Sequence, residues 1–144
     1  VADLITDTEL LSLGAFATTL SDVSAGQRAD AISAASSVVL SYLRKRYGLP
    51  LVSWSDDVRR ATAHIAAYDL IVLRGFNPAN GRDVVARERA IDARDWLRDV
   101  AKGLVEPEDI ADSTASVEEE APLVASDSRS GWGTDSDGDR RLLP

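Results

Sequence analysis

Three stretches of this chain repeat apolar residues at three- and four-residue steps, each opened by a helix-start signal and closed by glycine. That pattern commits the first hundred residues to helices. Ser24-Ala25-Gly26-Gln27 is a capping box, in which the Ser24 hydroxyl and the Gln27 side chain each satisfy the other's free backbone N–H. Behind it Ile32, Ala35, Val39, Tyr42 and Leu43 share a face, and Gly48 and Pro50 stop the helix. The expected length is about 23 residues, or about 35 Å. A further helix should begin between Ser53 and Asp57, with acids at the positive end of its dipole, and run through Val58, Ala61, Ile65, Tyr68 and Val72 to Gly75. After the Asn77-Pro78 turn the last helix spans about Gly81 to Lys102, ahead of Gly103. Its inner face is Ala86, Ala90, Ala93, Leu97 and Val100, so small that a neighbour can come close. Upstream, Thr6-x-x-Glu9 predicts a short first helix of about two turns that Gly14 closes in a left-handed conformation.

No stretch of residues 1–103 alternates apolar and polar residues, which argues against a sheet. Connections of about six residues between the last three helices favour antiparallel neighbours. The expected fold is all-α: a small antiparallel bundle of about four helices with a long extended C-terminal arm.

Charge divides the chain at the same place as pattern. Residues 1–103 hold 13 basic and 13 acidic side chains, whereas residues 104–144 hold 3 and 11, so the arm carries the whole net charge of −8. It also holds Pro107, Pro122 and Pro144 and few large apolar residues, too few to offset its own ordering entropy. The domains are therefore a helical body, 1–103, and an acidic arm, 104–144. Within the arm Ser116-Val117, Leu123-Val124 and Leu142-Leu143 are isolated apolar points, able to anchor against another chain but not to build a core. A solubilising tail is the plainer reading of the same composition.

Catalysis has little to work with. The chain has no cysteine, which removes disulfides, thiol nucleophiles and thiolate metal sites together and suits a reducing compartment. Its one histidine, His64, has Ala61, Ala67 and Tyr68 as helical neighbours and no carboxylate on its turn, so a structural role is expected. Asp135-Ser136-Asp137-Gly138-Asp139 is a poor calcium loop, because Gly138 stands two places too early and no glutamate follows at the required distance. No phosphate-cradling loop or nucleophile elbow is present, and no cofactor is expected. The longest apolar run, Leu70-Ile71-Val72-Leu73, is far too short to span a bilayer.

The last helix carries the most suggestive charge pattern. Arg87, Arg94 and Arg98 share one face, and Glu88, Asp92, Asp95 and Asp99 the adjoining one. One reading is a solvated surface with local pairs: Asp83 with Arg87, Asp95 with Arg98, Asp99 with Lys102. The other is a head-to-tail interface in which one copy's acidic stripe meets the next copy's basic stripe. Arg44-Lys45-Arg46 and Arg59-Arg60 are basic clusters at helix boundaries, but a neutral body with an acidic arm does not favour tight DNA binding.

The run Tyr42-Leu43-Arg44-Lys45-Arg46-Tyr47-Gly48-Leu49-Pro50-Leu51, followed by the Ala/Ile/Tyr-rich helix from Val58 to Leu70, resembles the head-tail connector proteins of tailed bacteriophages, of the Mu-like type, also called adaptor or head-completion proteins. The likeness spans residues 24–105, and Ser128-Arg129-Ser130-Gly131-Trp132 is similar to the Ser/Arg-rich arm end of such proteins. The resemblance implies a non-enzymatic virion protein of the neck, made in the host cytoplasm, that forms a ring with itself, commonly a dodecamer. That ring would dock under the portal protein, extend the channel through which double-stranded DNA passes without sequence-specific contact, and offer a platform to a stopper or tail-completion protein. No membrane is involved. On this reading the stripes of the last helix are the subunit interface, and Val117, Leu123, Val124, Arg129 and Trp132 dock the arm on the portal or a neighbour. Trp132 is then a buried anchor, the alternative being an incidental exposed side chain. The rival function is an acidic-tailed regulatory or inhibitor module for a basic protein partner, which predicts a monomer whose tail binds with strong salt dependence.

Overall fold

The computed structural model describes residues 2–15 and 17–112. Among them the architecture is all-α: α1 (Asp7–Glu9) continues into a five-residue wide turn, Leu10–Gly14, and is followed by α2 (Ala25–Leu43), α3 (Asp56–Arg74) and α4 (Gly81–Lys102). Both capping boxes form. The Thr6 N–H donates to Glu9 Oε2 at 2.7 Å, and the Ser24 N–H donates to Gln27 Oε1 at 2.9 Å. Gly75 (φ 118°) and Gly103 (φ 84°) close α3 and α4 in backbone conformations that cost other residues strain.

Two expectations about glycine and helix length are corrected. Gly14 is not left-handed; it sits inside the wide turn because α3 comes too close for any side chain. A Cβ there would lie 2.7 Å from the Ala63 carbonyl oxygen and 3.1 Å from Ala67 Cβ. Helix α2 stops at Leu43 after 19 residues, short of Gly48, and successive turns carry the chain to Tyr47. Its link to α3, residues 44–55, is therefore twice the six-residue link from α3 to α4, and contains the cis Leu49-Pro50 bond.

Helix α3 is the centre of the bundle, packed on α2, α4 and the wide turn. Being covered on three sides, it buries a second stripe, Ala63, Ala66 and Ala67, beside Val58, Ile65, Leu70 and Ile71. Val72, expected on the inner face, is instead half exposed; it lies in the last turn of α3, whereas Ala61 and Ile65 on the same line of the helix are buried. On α4 all five expected inner residues are buried. Asp57 at the start of α3 and Trp96 toward the end of α4 line one depression, while Arg74 at the end of α3 pairs with Asp83 at the start of α4, so the two helices run antiparallel. The C-terminal ends of α2 and α4 lie together, where Arg46 Nη1 donates to the Val100 carbonyl at 3.4 Å.

The α3–α4 corner is fixed by a buried ion pair. Asp83 is fully buried, and both its oxygens accept from Arg74 Nη2 at 2.7 Å while Oδ2 also accepts the Asn77 N–H at 3.0 Å. Arg74 Nη1 also donates to the Thr19 carbonyl at 2.9 Å, tying in the segment before α2. Asp83 is thus the partner of Arg74 rather than of Arg87, since its position turns it inward.

The chain does not leave the bundle at Gly103. Pro107 is buried, Val105 and Ile110 pack on the core, and Glu106 pairs with Arg46 at 3.1 Å. Ala111 forms an isolated antiparallel bridge with Ser53, and Asp112 Oδ2 accepts the Gly48 N–H at 2.8 Å. Residues 104–112 are therefore a strap across the α2–α3 link.

Candidate functional site

The outward half of α4 is the most distinctive surface of the body, and its placement follows from the alanine face. With Ala86, Ala90 and Ala93 turned inward onto α3, helical geometry points Arg87, Arg94 and Arg98 to one flank and Glu88, Asp92, Asp95 and Asp99 to the far side. The structure thus keeps both stripes on α4 but gives their members different surroundings.

On the basic flank the Arg87 guanidinium stands 5.5 Å from the centre of the Phe76 ring, which itself meets Tyr68 edge-on at 6.2 Å. Arg94 is half-buried and lies beside Asp69 of α3. Burial pushes the Asp69 carboxyl above its ordinary value, and Arg94 opposes that rise. Arg98 reaches across to Asp95, a pair more than half exposed on both sides and so of little weight in stability. On the acidic side Glu88 and Asp92 are exposed and Asp99 is partly so; none of the three forms an ion pair among the described residues. The expected Asp99–Lys102 pair is likewise not formed.

Sequence reasoning missed Ile91. It falls between the stripes and leaves 51% of its surface to solvent, an apolar point framed by charge. Its angle on the same helical projection that separates the stripes was the available signal. Val72 and Leu73 at the end of α3, 50% and 59% exposed, add apolar surface near the other end of the bundle.

Next to this surface, Asp57, Arg60 and His64 of α3 and Arg89, Asp92 and Trp96 of α4 line a shallow depression. His64 is held by a hydrogen bond to the Leu13 backbone. Its pKa is lowered by burial, then by Arg89 and Arg60, against the opposing pull of the Leu13 bond and Asp92. The residues lining the depression carry no hydroxyl or thiol to serve as a nucleophile beside the imidazole. Among the described residues no group of three His, Cys, Asp or Glu could hold a metal ion, and no helix is long and apolar enough to cross a membrane.

One arginine of each basic cluster is engaged within the body, while Arg44, Lys45 and Arg60 are exposed. Arg46 binds Glu106 and the Val100 carbonyl, while Arg59 binds Asp56 at 3.0 Å and Glu9 at 3.6 Å and stands 6.0 Å from the centre of the Trp54 ring. The arm candidates Val117, Leu123, Val124, Arg129 and Trp132 lie outside the described residues, as does the Asp135–Asp139 run.

A family model described as Bacteriophage Mu, Gp36 matches residues 1–126 of the 144. No curated protein matches the chain.

Proposed function

The chain belongs to the bacteriophage Mu Gp36 family, and from that premise we propose that this phage protein is a structural component of the virion neck, a head-tail connector. In this reading copies form a ring beneath the portal protein, extend the DNA channel and present a platform to a stopper or tail-completion protein. The role requires no catalysis and no cofactor.

The observation that carries the reading is the outer face of α4. A closed ring needs two different, mutually complementary patches on each copy. One helix supplies both: acids Glu88, Asp92 and Asp99, which form no ion pair among the described residues, and a basic flank of Arg87 and Arg94, with Ile91 exposed between them. Such exposed charges steer and register a contact more than they hold it, so each interface would be modest and the ring would gain strength by multivalency on a template. An acidic arm that follows this body suits a partner-dependent attachment.

The test mixes the full chain with portal rings from the same phage and counts subunit layers by electron microscopy. A new ring on the portal is expected, and Arg87→Glu with Arg94→Glu should reduce its occupancy at least about tenfold, with the α-helical circular dichroism unchanged. A chain that stays monomeric and unbound, or a double variant that assembles normally, would overturn the reading. Truncations belong after Asp112, because a cut at residue 106 would also remove the strap that holds Gly48, Ser53 and Arg46.

A further inference from the structure

A second apolar surface lies at the opposite side of the link between α2 and α3. Leu40, Leu49, Leu51 and Trp54 wall a groove of about 360 Å³, with Ser37 of α2 and Arg44, just past its end, among the lining residues. Its base is rigidly built: the Trp54 indole N–H donates to the Leu4 carbonyl at 2.9 Å, and the Leu4 N–H donates to the buried Ser36 hydroxyl at 2.9 Å.

The strap ends at the rim of this groove. In the bridge, the Ala111 N–H donates to the Ser53 carbonyl at 3.2 Å, while the Val52 and Ser53 N–H groups donate to the Ala111 carbonyl at 2.7 and 3.3 Å. The chain crosses Ser53 antiparallel at Ala111, so at Asp112, the last residue described, it is heading toward Leu51. The bond from the Gly48 N–H to Asp112 holds it in that direction.

Sequence and charge then select the occupant. The residues that come next are Ser113-Thr114-Ala115-Ser116-Val117-Glu118-Glu119-Glu120. They contain one large apolar side chain and then three acids, and the groove offers apolar walls beside Arg44, followed by Lys45. Five residues of extended chain from Asp112 to Val117 reach about 17 Å. We propose that the groove is the docking site of the chain's own residues 113–120, with Val117 seated between Leu40 and Leu49 and the glutamates facing Arg44 and Lys45. The strap thereby extends along a surface it has already begun to cover, and the remainder of the arm departs from a fixed point on the body.

The absence of native cysteine makes disulfide trapping a clean test. In the full chain, Ser37→Cys with Val117→Cys is compared with Val72→Cys and Val117→Cys, whose first cysteine lies at the far end of α3. Both proteins are oxidised at low micromolar concentration, with circular dichroism confirming the fold, and read by non-reducing electrophoresis and peptide mass spectrometry. The groove pair should close an intramolecular disulfide at least about tenfold faster than the control, and Arg44→Glu with Lys45→Glu should slow that closure several-fold. Equal rates for the two pairs would overturn the proposal. Predominantly disulfide-linked dimers would also overturn it, in favour of a second copy as the occupant.

Discussion

Replacing Arg74 by alanine removes the cation from the most deeply buried charge in the body. Asp83 is inaccessible to solvent and would keep only the 3.0 Å bond from the Asn77 N–H. Breaking a buried pair by deleting one partner costs about 3–5 kcal/mol, because the remaining charge is left uncompensated. Arg74 retains 19% exposure of its side chain, so partial solvent screening places the expected loss near the lower limit, about 3 kcal/mol. With a urea m-value of about 2 kcal/mol/M for a chain of this size, the midpoint should fall by about 1.5 M. The pH dependence supplies a second, independent readout. Burial alone would raise the Asp83 pKa, but the Asn77 N–H and Arg74 together hold it below its ordinary value of 3.8. The pair's contribution is therefore complete above the unfolded-state pKa and fades as pH falls through the lower folded-state one. In Arg74→Ala the carboxyl takes up a proton more readily, so the gap between the proteins should narrow as pH is lowered from 7 toward about 3. Urea melts followed by circular dichroism at both pH values test this. A loss under about 1 kcal/mol at pH 7, or a gap that persists unchanged in acid, would refute the idea that a buried ionic clasp sets the α3–α4 corner.

Gly14→Ala should cost about 1–3 kcal/mol, seen as a lower thermal midpoint, because its methyl would meet the Ala63 carbonyl oxygen at 2.7 Å and neither backbone can yield cheaply. His64, the only histidine, should titrate below 6.5 in an imidazole proton NMR titration, and Arg89→Ala should raise its pKa by removing a neighbouring cation. Since the folded state resists protonation there, stability should decline as pH drops below the unfolded value and level off beneath the folded one.

What the sequence disclosed and what it withheld divide by the range of the forces involved. Thr6 with Glu9, Ser24 with Gln27, Gly75 and Gly103 act on backbone within four residues of themselves, and all mark element ends in the fold. The inner face of α4 was equally legible, because α4 meets α3 and α2 along one narrow stripe. Gly14 was assigned the wrong reason for being glycine: the atom that forbids a side chain belongs to Ala63, nearly fifty positions away. Asp83 likewise looked like a surface partner for Arg87 one helical turn on, and only the corner geometry turns it to Arg74. The strap over residues 104–112 was hidden by composition, since Pro107, Val105 and Ile110 bury surface against a body formed far earlier in the chain. At the candidate interface the charged stripes could be read from spacing. Their inequality could not, because it depends on Phe76, Asp69 and the Arg98–Asp95 pair.

That inequality bears on how a ring would assemble. If every charge on α4 were free, copies in solution would attract one another through several contacts and close rings without a template. Instead Arg98 is neutralised within its own helix, Arg87 is drawn onto Phe76 and Arg94 stands beside Asp69, so the basic patch offered to a neighbour is weaker than its count of arginines suggests. The opposing Glu88, Asp92 and Asp99 form no ion pair among the described residues. Exposed pairs of this kind contribute about 0–1 kcal/mol each and are screened within about 8 Å at physiological salt. A dimer held by one such interface would dissociate readily. A set of copies already aligned on a symmetric platform would gain the same small term at every junction, with the translational cost met by the platform. On the connector proposal, side-to-side affinity would be set low by this intramolecular pairing, and ring closure would be confined to the platform that aligns the copies.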